Sequence, residues 1–360
     1  MSDVPIRRAA AVLGGFAVGG GVFPIAGMVP SLTIELDISD AEAVQLITVF
    51  GLACAVALPF VGRVDSRRLP VIGLVALTIG NGLSVFADTV FLLLATRIVL
   101  GVGAACVVRA GGRVPAGGLA FAAVLGAPLA AVIADQAGYR AVFLLLAVLA
   151  AIGAADALLG VRPSMIGRHP IGDPQMLLAA GLKVILRAAV IATFTLFTTV
   201  LAAVAGLHGP TVDGLFLAAG AGAVVGVLAV RGRGARTALL ASVALIAAFA
   251  AALPLVHGSV AGVAAVLALW GTAAGAADAA LRGLIADPVV DDTAGFLGIG
   301  LSGVVGGAVL GAAGPEALPQ VTAALAVVVL ITAAVGLAWD SRREGHRGPG
   351  ALSTGSRDAR

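Results

Sequence analysis

One arginine stands where hydrocarbon should be. Phe91–Arg109, FLLLATRIVLGVGAACVVR, is an apolar run long enough to cross a bilayer, and Arg97 lies near its middle. A guanidinium at a helix centre costs about 2.5–3.5 kcal/mol on insertion scales. A chain that keeps one there has a use for it. The chemistry on offer is two-point hydrogen bonding to a carboxylate or similar acceptor, in a planar geometry that lysine cannot copy. The expectation is that Arg97 faces an internal cavity, where it binds an anionic or polar group or senses protonation nearby. The plainer alternative is a structural charge held by backbone carbonyls. Gly101 and Gly103 follow within two turns and let a neighbouring helix come close.

Few other residues inside the apolar runs can do chemistry. Asp156 and Asp278 are acids near the ends of their runs, and Arg282 sits four residues after Asp278, a usual helix pair. They are either interfacial charges or carriers of a proton. Trp270 is mid-run and either stacks on a substrate or fills the core. Thr195, Thr198 and Thr199 are expected to bond their own helix backbone. Lys183 and Arg187 share one helix face. They belong either to a surface helix with snorkelling side chains, the reading preferred on composition, or to a long seventh span facing a cavity. The four histidines have no ligand spacing, and Cys54 and Cys106 read as small buried residues, so neither a metal nor another cofactor is expected. No nucleophile constellation or phosphate-cradling loop is present in the sequence, so an enzyme is not expected.

The elements that position these residues are membrane spans. Hydrophobic residues make up 60% of the 360, charged residues only 11%. A soluble domain carries roughly 25% charged residues, so this surface could not be solvated by water. The 50 glycines lie within apolar runs, where small residues form contacts between membrane helices. Runs of about 20 apolar residues can span. They fall at 9–30, 41–61, 70–87, 90–108, 115–134 and 140–160, then at 186–206, 212–230, 236–255, 259–280, 294–313 and 318–339. The first is expected to be a retained span rather than a signal peptide, with Arg7 and Arg8 ahead of it.

The connections alternate in charge. One set holds Arg63, Arg67 and Arg68, then Arg109 and Arg113, Arg162 and Arg168, Arg231, Arg233 and Arg236, and Arg282. The other holds Glu35, Asp37, Asp40, Glu42, Asp88, Asp135, Asp213 and Glu316. The positive-inside rule places the first set and both termini in the cytoplasm. The net charge of +3 lies in those short connections, so nucleic acid is not an expected partner. The plan also repeats: six spans in 1–160, a linker at 161–185, six spans in 186–339, and a tail at 340–360. RVDSRR at 63–68 and RGRGAR at 231–236 occupy equivalent places in the two halves. Two such halves are the plan of a large transporter class, with the substrate site between them near the midplane. The expected class is therefore an all-α integral membrane protein with twelve transmembrane helices in two six-helix halves.

The motifs resemble those of the major facilitator superfamily, in its twelve-span efflux type, near the arabinose-efflux and chloramphenicol-resistance permeases. FAVGGGVFPIAGMVPSLTIELDIS is similar to that family's opening, through Phe16, Gly19, Phe23, Gly27, Pro30 and Ser39. Arg97, Gly101 and Gly103 match its span-4 arginine–glycine motif. VLGAPLAAVIADQAGYRAVFLLL matches its span-5 antiporter motif through Gly126, Pro128, Gly138 and Arg140. Gly62, Asp65, Arg67 and Arg68 keep part of the loop signature between spans 2 and 3. The resemblance implies a monomeric exporter of a small molecule in the cytoplasmic (inner) membrane, in contact with lipid, working by proton antiport. Spans 5 and 11 would then move against the other half, span 11 through its stripe Gly303, Gly307 and Gly311. An organic-anion facilitator or exchanger, or a transporter-like membrane protein with a sensor or partner role and no transport, are the alternatives. The chain departs from the family at Val22, where an acid is often found, and in a short connection from span 4 to span 5 near Ala110–Ala116.

Overall fold

The computed structural model describes residues 4–61, 68–111, 116–158 and 173–346. Every regular element among them is helical. Ten stretches are long and apolar enough to cross a membrane. One of these, Phe121–Leu158, provides two passes, and the shorter Leu69–Val85 supplies the twelfth. The protein is a multi-pass membrane protein. Many large apolar side chains are exposed along the passes, Ile79, Ile98, Val99, Leu144 and Ile331 among them. That is the surface lipid requires and water would not tolerate.

The first pass is α1 (Val4–Gly19) and α2 (Phe23–Leu36), broken between them. Pro24 explains the break: it has no amide hydrogen to give and its ring clashes with the carbonyl four residues back. The amides of Gly21 and Val22 turn instead to the carbonyls three residues back. Ser39 then caps α3 (Asp40–Ala43) in a reciprocal pair with Glu42, and α4 (Gln45–Val61) completes the second pass. α5 (Leu69–Val85) and α6 (Val90–Gly111) are the third and fourth.

α7 (Ala116–Leu158) is the fifth and sixth passes, doubled back at Gly138. Gly138 has φ +77°, a region an L side chain rarely adopts. Before the turn, Gly27 of α2 sits on the backbone of Ala127; after it, Gly153 meets Leu74 near the start of α5. Glu35 holds the turn by accepting from the Tyr139 amide at 3.2 Å.

The second half opens with α8 (Pro174–Thr195) and α9 (Phe197–Ala205), one pass broken at Leu196. α10 (Pro210–Ala229), α11 (Ala235–Ala252), α12 (Val260–Leu284), α13 (Pro288–Ala313) and α14 (Ala317–His346) follow. Two expected helix starts in this half move. The seventh pass starts at Pro174, so 174–185 is helix and not linker, and the eleventh starts at Pro288, not 294. Each start carries the same signature, an aspartate cap followed by proline. Asp173 accepts from the Gln175 amide, and Asp287 from those of Val289 and Val290. The last helix likewise continues past the expected boundary at 339 to His346.

The halves meet mainly through two pairs, α4 with α13 and α7 with α10. These are passes 2 with 11 and 5 with 8, which the six-pass repeat exchanges for one another. Successive passes alternate in direction, so the acidic connections gather at one end of the bundle and the arginine-rich ones at the other.

Candidate functional site

Backbones touch where the halves meet, and glycine is the reason. A Cβ on Gly51 of α4 would fall 2.7 Å from the Gly300 Cα of α13 and 2.9 Å from the Phe296 carbonyl. Further towards the acidic end, Gly303 packs on Val44 and Thr48, and Gly307 on Gln45. Gln45 Nε2 donates to the Gly303 carbonyl at 3.3 Å. The stripe stops there, because a Cβ on Gly311 would meet no other helix within 4 Å among the described residues. In the other pair the glycine is on α10: a Cβ on Gly220 would meet Ala123 and Val124 of α7. Pro128 lies four residues after Val124 and cannot bond its carbonyl, so α10 comes nearest where α7 is weakened. Gly126 faces Phe23 and Pro24 inside its own half. Gly101 packs on Phe50 and Ala53 of α4, and Gly103 on Gly73 and Ala76 of α5. Arg68 is exposed at the start of α5. Gly62, Asp65 and Arg67 lie outside the described residues.

A cavity of about 420 Å³ opens between the halves towards the acidic end. Its polar lining is Thr33, Asp40, Asp135, Thr198, Thr199, His208 and Asp213. Thr199 crosses the interface to donate to Asp40 at 2.6 Å, while the Thr198 hydroxyl is buried with no partner among the described residues. Thr195 bonds its own helix at the Ile191 carbonyl, as expected.

Deeper than the cavity lies an aromatic layer. Phe23 of α2 meets Phe194 of α8 edge-on at 5.8 Å, and Phe197, Phe216 and Trp270 stack behind. Edge-to-face rings at these spacings attract beyond their buried area. Trp270 is a core residue 5.5 Å from Phe197 and lines neither cavity described here.

Beyond this layer, towards the basic end, six charges cluster on α8, α12 and α13. Lys183 donates to Asp291 at 2.5 Å and lies 3.5 Å from Asp278. Arg187 donates to Asp278 at 2.9 Å. Arg282 donates to Asp278 at 3.1 Å and approaches Asp291 at 3.7 Å. Asp292 completes the set. All six belong to the second half, so the network ties passes 7, 10 and 11 to each other and not to the first half. The preferred surface reading of Lys183 and Arg187 is thereby corrected. Lys183 is 1% exposed, because α8 runs unbroken from Pro174 and partners of opposite charge await it. Asp278 is the hub of the cluster, not a peripheral interfacial charge. Asp291 and Asp292 escaped sequence reasoning because pass 11 was started after them. The Asp287–Pro288 signature was the available signal.

Arg97 is placed differently from the expectation. It is fully buried inside the first half, its guanidinium carbon 4.7 Å from the centre of the Phe143 ring. None of its three side-chain nitrogens has a hydrogen-bond partner among the described residues. It lines neither cavity described here, so the cavity-facing expectation does not hold in this conformation. Asp156, half-buried near the end of α7, makes no ion pair among the described residues and stands apart from the charged cluster. Tyr139 is buried and donates to the Ala87 carbonyl at 2.5 Å. The packed turn at Gly138 draws it inward. Cys54 and Cys106 are buried free thiols, and the connection from α6 to α7 is short, from Gly111 to Ala116.

No protein-family model matches the chain. The fold is similar to the crystal structure of a nucleoside transporter, NupG, with a TM-score of 0.67 at 13% sequence identity. The match covers 92% of this chain and 99% of that one. The fold is the major facilitator fold, twelve passes in two six-helix halves.

Proposed function

We propose that this protein is a secondary active transporter that exports a small molecule across the cytoplasmic membrane by alternating access, driven by proton antiport. The observation that carries the reading is the pair of glycine-lined contacts between the halves beside a cavity of about 420 Å³. Two rigid bundles touching through flat backbone surfaces can rock without dragging side chains past one another. The resemblance of the span-4 and span-5 motifs supports efflux over uptake. The charge pattern of the connections supports an arrangement with the basic end and both termini in the cytoplasm. Reporters fused after Asp37 and at the C-terminus test this, and a cytoplasmic signal after Asp37 would overturn it. Three carboxylates in the cavity lining repel anions, so the substrate is neutral or cationic, and the organic-anion alternative is the weaker one. The chain acts as a monomer with no cofactor, and it is not an enzyme.

The test is flux in proteoliposomes with and without a pH gradient. The panel comprises cationic drugs, sugars, organic acids and nucleosides, the last because the solved neighbour is named a nucleoside transporter. The expected result is gradient-driven movement of at least one neutral or cationic compound. Movement of organic acids alone, or none at all by a protein correctly inserted, would overturn the reading.

A further inference from the structure

The short element α3 (Asp40–Ala43) belongs to the first half by sequence and sits on the second half by contact. A Cβ on Gly307 of α13 would lie 3.8 Å from the Ala41 Cβ. Gln45, just past α3, donates to the Gly303 carbonyl at 3.3 Å. Asp40 accepts from the Thr199 hydroxyl of α9 at 2.6 Å, and both side chains are half-buried at the cavity wall. A hydroxyl that donates to a carboxylate makes a charge-assisted bond, shorter and stronger than one between neutral groups.

Both partners are held firmly by their own halves. The Ser39 amide donates to Glu42 at 2.8 Å and the Glu42 amide returns a bond to Ser39 Oγ at 3.2 Å, which fixes the turn that carries Asp40. On the other side, α9 starts afresh after Leu196 and ends at Gly206 with φ 68°, so Thr199 rides on a nine-residue helix of its own. The same mouth also carries a repulsion. Asp135 of α7 and Asp213 of α10 stand in opposite halves, line the same cavity, and feel each other's charge. No lysine or arginine comes within 4.0 Å of Asp40, Asp135 or Asp213 among the described residues.

We propose that Thr199 is a positioning residue for transport: its bond to Asp40 is a latch that holds the halves together at the acidic end against the repulsion between Asp135 and Asp213. This deepens the transport reading and rests on it. With the bond made, the two like charges are kept at close range across the mouth. When it breaks, water takes both partners, and the repulsion is left to part the halves there. Each effect is modest, because a hydrogen bond is exchanged for bonds to water and part-exposed charges are screened. Opposed effects of similar size leave neither arrangement a trap, which is what an element that must change state in every cycle requires.

The experiment uses the full chain in lipid nanodiscs, with spin labels on Asp88→Cys and Leu255→Cys, one at the acidic end of each half. Both positions are exposed, and the native Cys54 and Cys106 are buried. Distances are read at about pH 8, well above the ordinary carboxylate range. The expected result is a shorter and a longer population. Thr199→Val keeps the shape and removes the donor, so it should raise the longer over the shorter by at least about tenfold. Thr199→Ser should match wild type. Asp213→Asn should shift the balance to the shorter distance and, added to Thr199→Val, recover part of its effect. Glu316→Gln, an acid outside the cavity, should change nothing. Raising salt from about 0.01 M to about 1 M cuts the screening length from about 30 Å to about 3 Å. It should shorten the distance in wild type and do far less in Asp213→Asn. Two populations that ignore Thr199→Val would overturn the latch and leave alternating access standing. Asp213→Asn that lengthens the distance, or acts no differently from Glu316→Gln, would overturn the opposing repulsion. One fixed distance in every variant would remove alternating access and the latch with it.

Discussion

Replacing Arg97 with methionine should make the protein more stable and less active. The side chain is 0% exposed and its three nitrogens have no acceptor among the described residues. Such a charge at mid-helix costs about 2.5–3.5 kcal/mol. Its one compensation is the Phe143 ring, 4.7 Å from the guanidinium carbon. A desolvated contact of that kind returns at most about 2 kcal/mol. Methionine is similarly long and unbranched, and its sulfur on the same ring recovers about 0.3–1.5 kcal/mol. The balance favours Arg97→Met by about 2 kcal/mol, a factor of roughly 30 in the folded-to-unfolded ratio. Denaturant titration of the purified protein in mixed micelles measures this directly. Flux should fall by most of its value in Arg97→Met and equally in Arg97→Lys, which keeps the charge but loses the planar fork. The reasoning is that a costly unpartnered charge is retained for a partner met in another conformation or brought by a ligand. A loss of stability in Arg97→Met would refute it and make the arginine a structural tie. Normal flux in the same variant would refute the functional half.

Two further outcomes follow from the packing. Gly300→Ala should widen the contact between α4 and α13, because its Cβ would sit 2.8 Å from the Leu52 amide nitrogen, inside the ~3.5–4.0 Å of good contact. Overpacking of this kind costs about 1–3 kcal/mol; flux should drop severalfold at normal expression, and wild-type flux would show that this contact is slack. Lys183→Met should destabilise the second half by about 3–5 kcal/mol, since it takes the close partner from the buried Asp291. Adding Asp291→Asn should recover a good part of that loss in a double-mutant cycle, whereas simple additivity in unfolding titrations would mean that the two groups are not coupled.

Local composition was enough to establish the class and the approximate passes. Hydrocarbon demands about 20 apolar residues per crossing and satisfied backbone bonds within each segment, so every pass announces itself along the chain. The alternation of charged connections likewise needs no third dimension. Boundaries were legible only in part: Asp173–Pro174 and Asp287–Pro288 mark two helix starts, but Lys183, Asp291 and Asp292 broke the hydropathy that a window averages. Hydropathy treats each charge as unsolvated and moves it to a loop. The tertiary structure decides otherwise, because Lys183 finds Asp291 108 residues away and Arg187 finds Asp278 91 residues away. Pairing at that separation depends on which helices pack together, and no periodicity within one helix encodes it. Arg97 is the converse case. Its cost was readable from its place in an apolar run, but only the tertiary packing of the first half brought it over the Phe143 ring of α7.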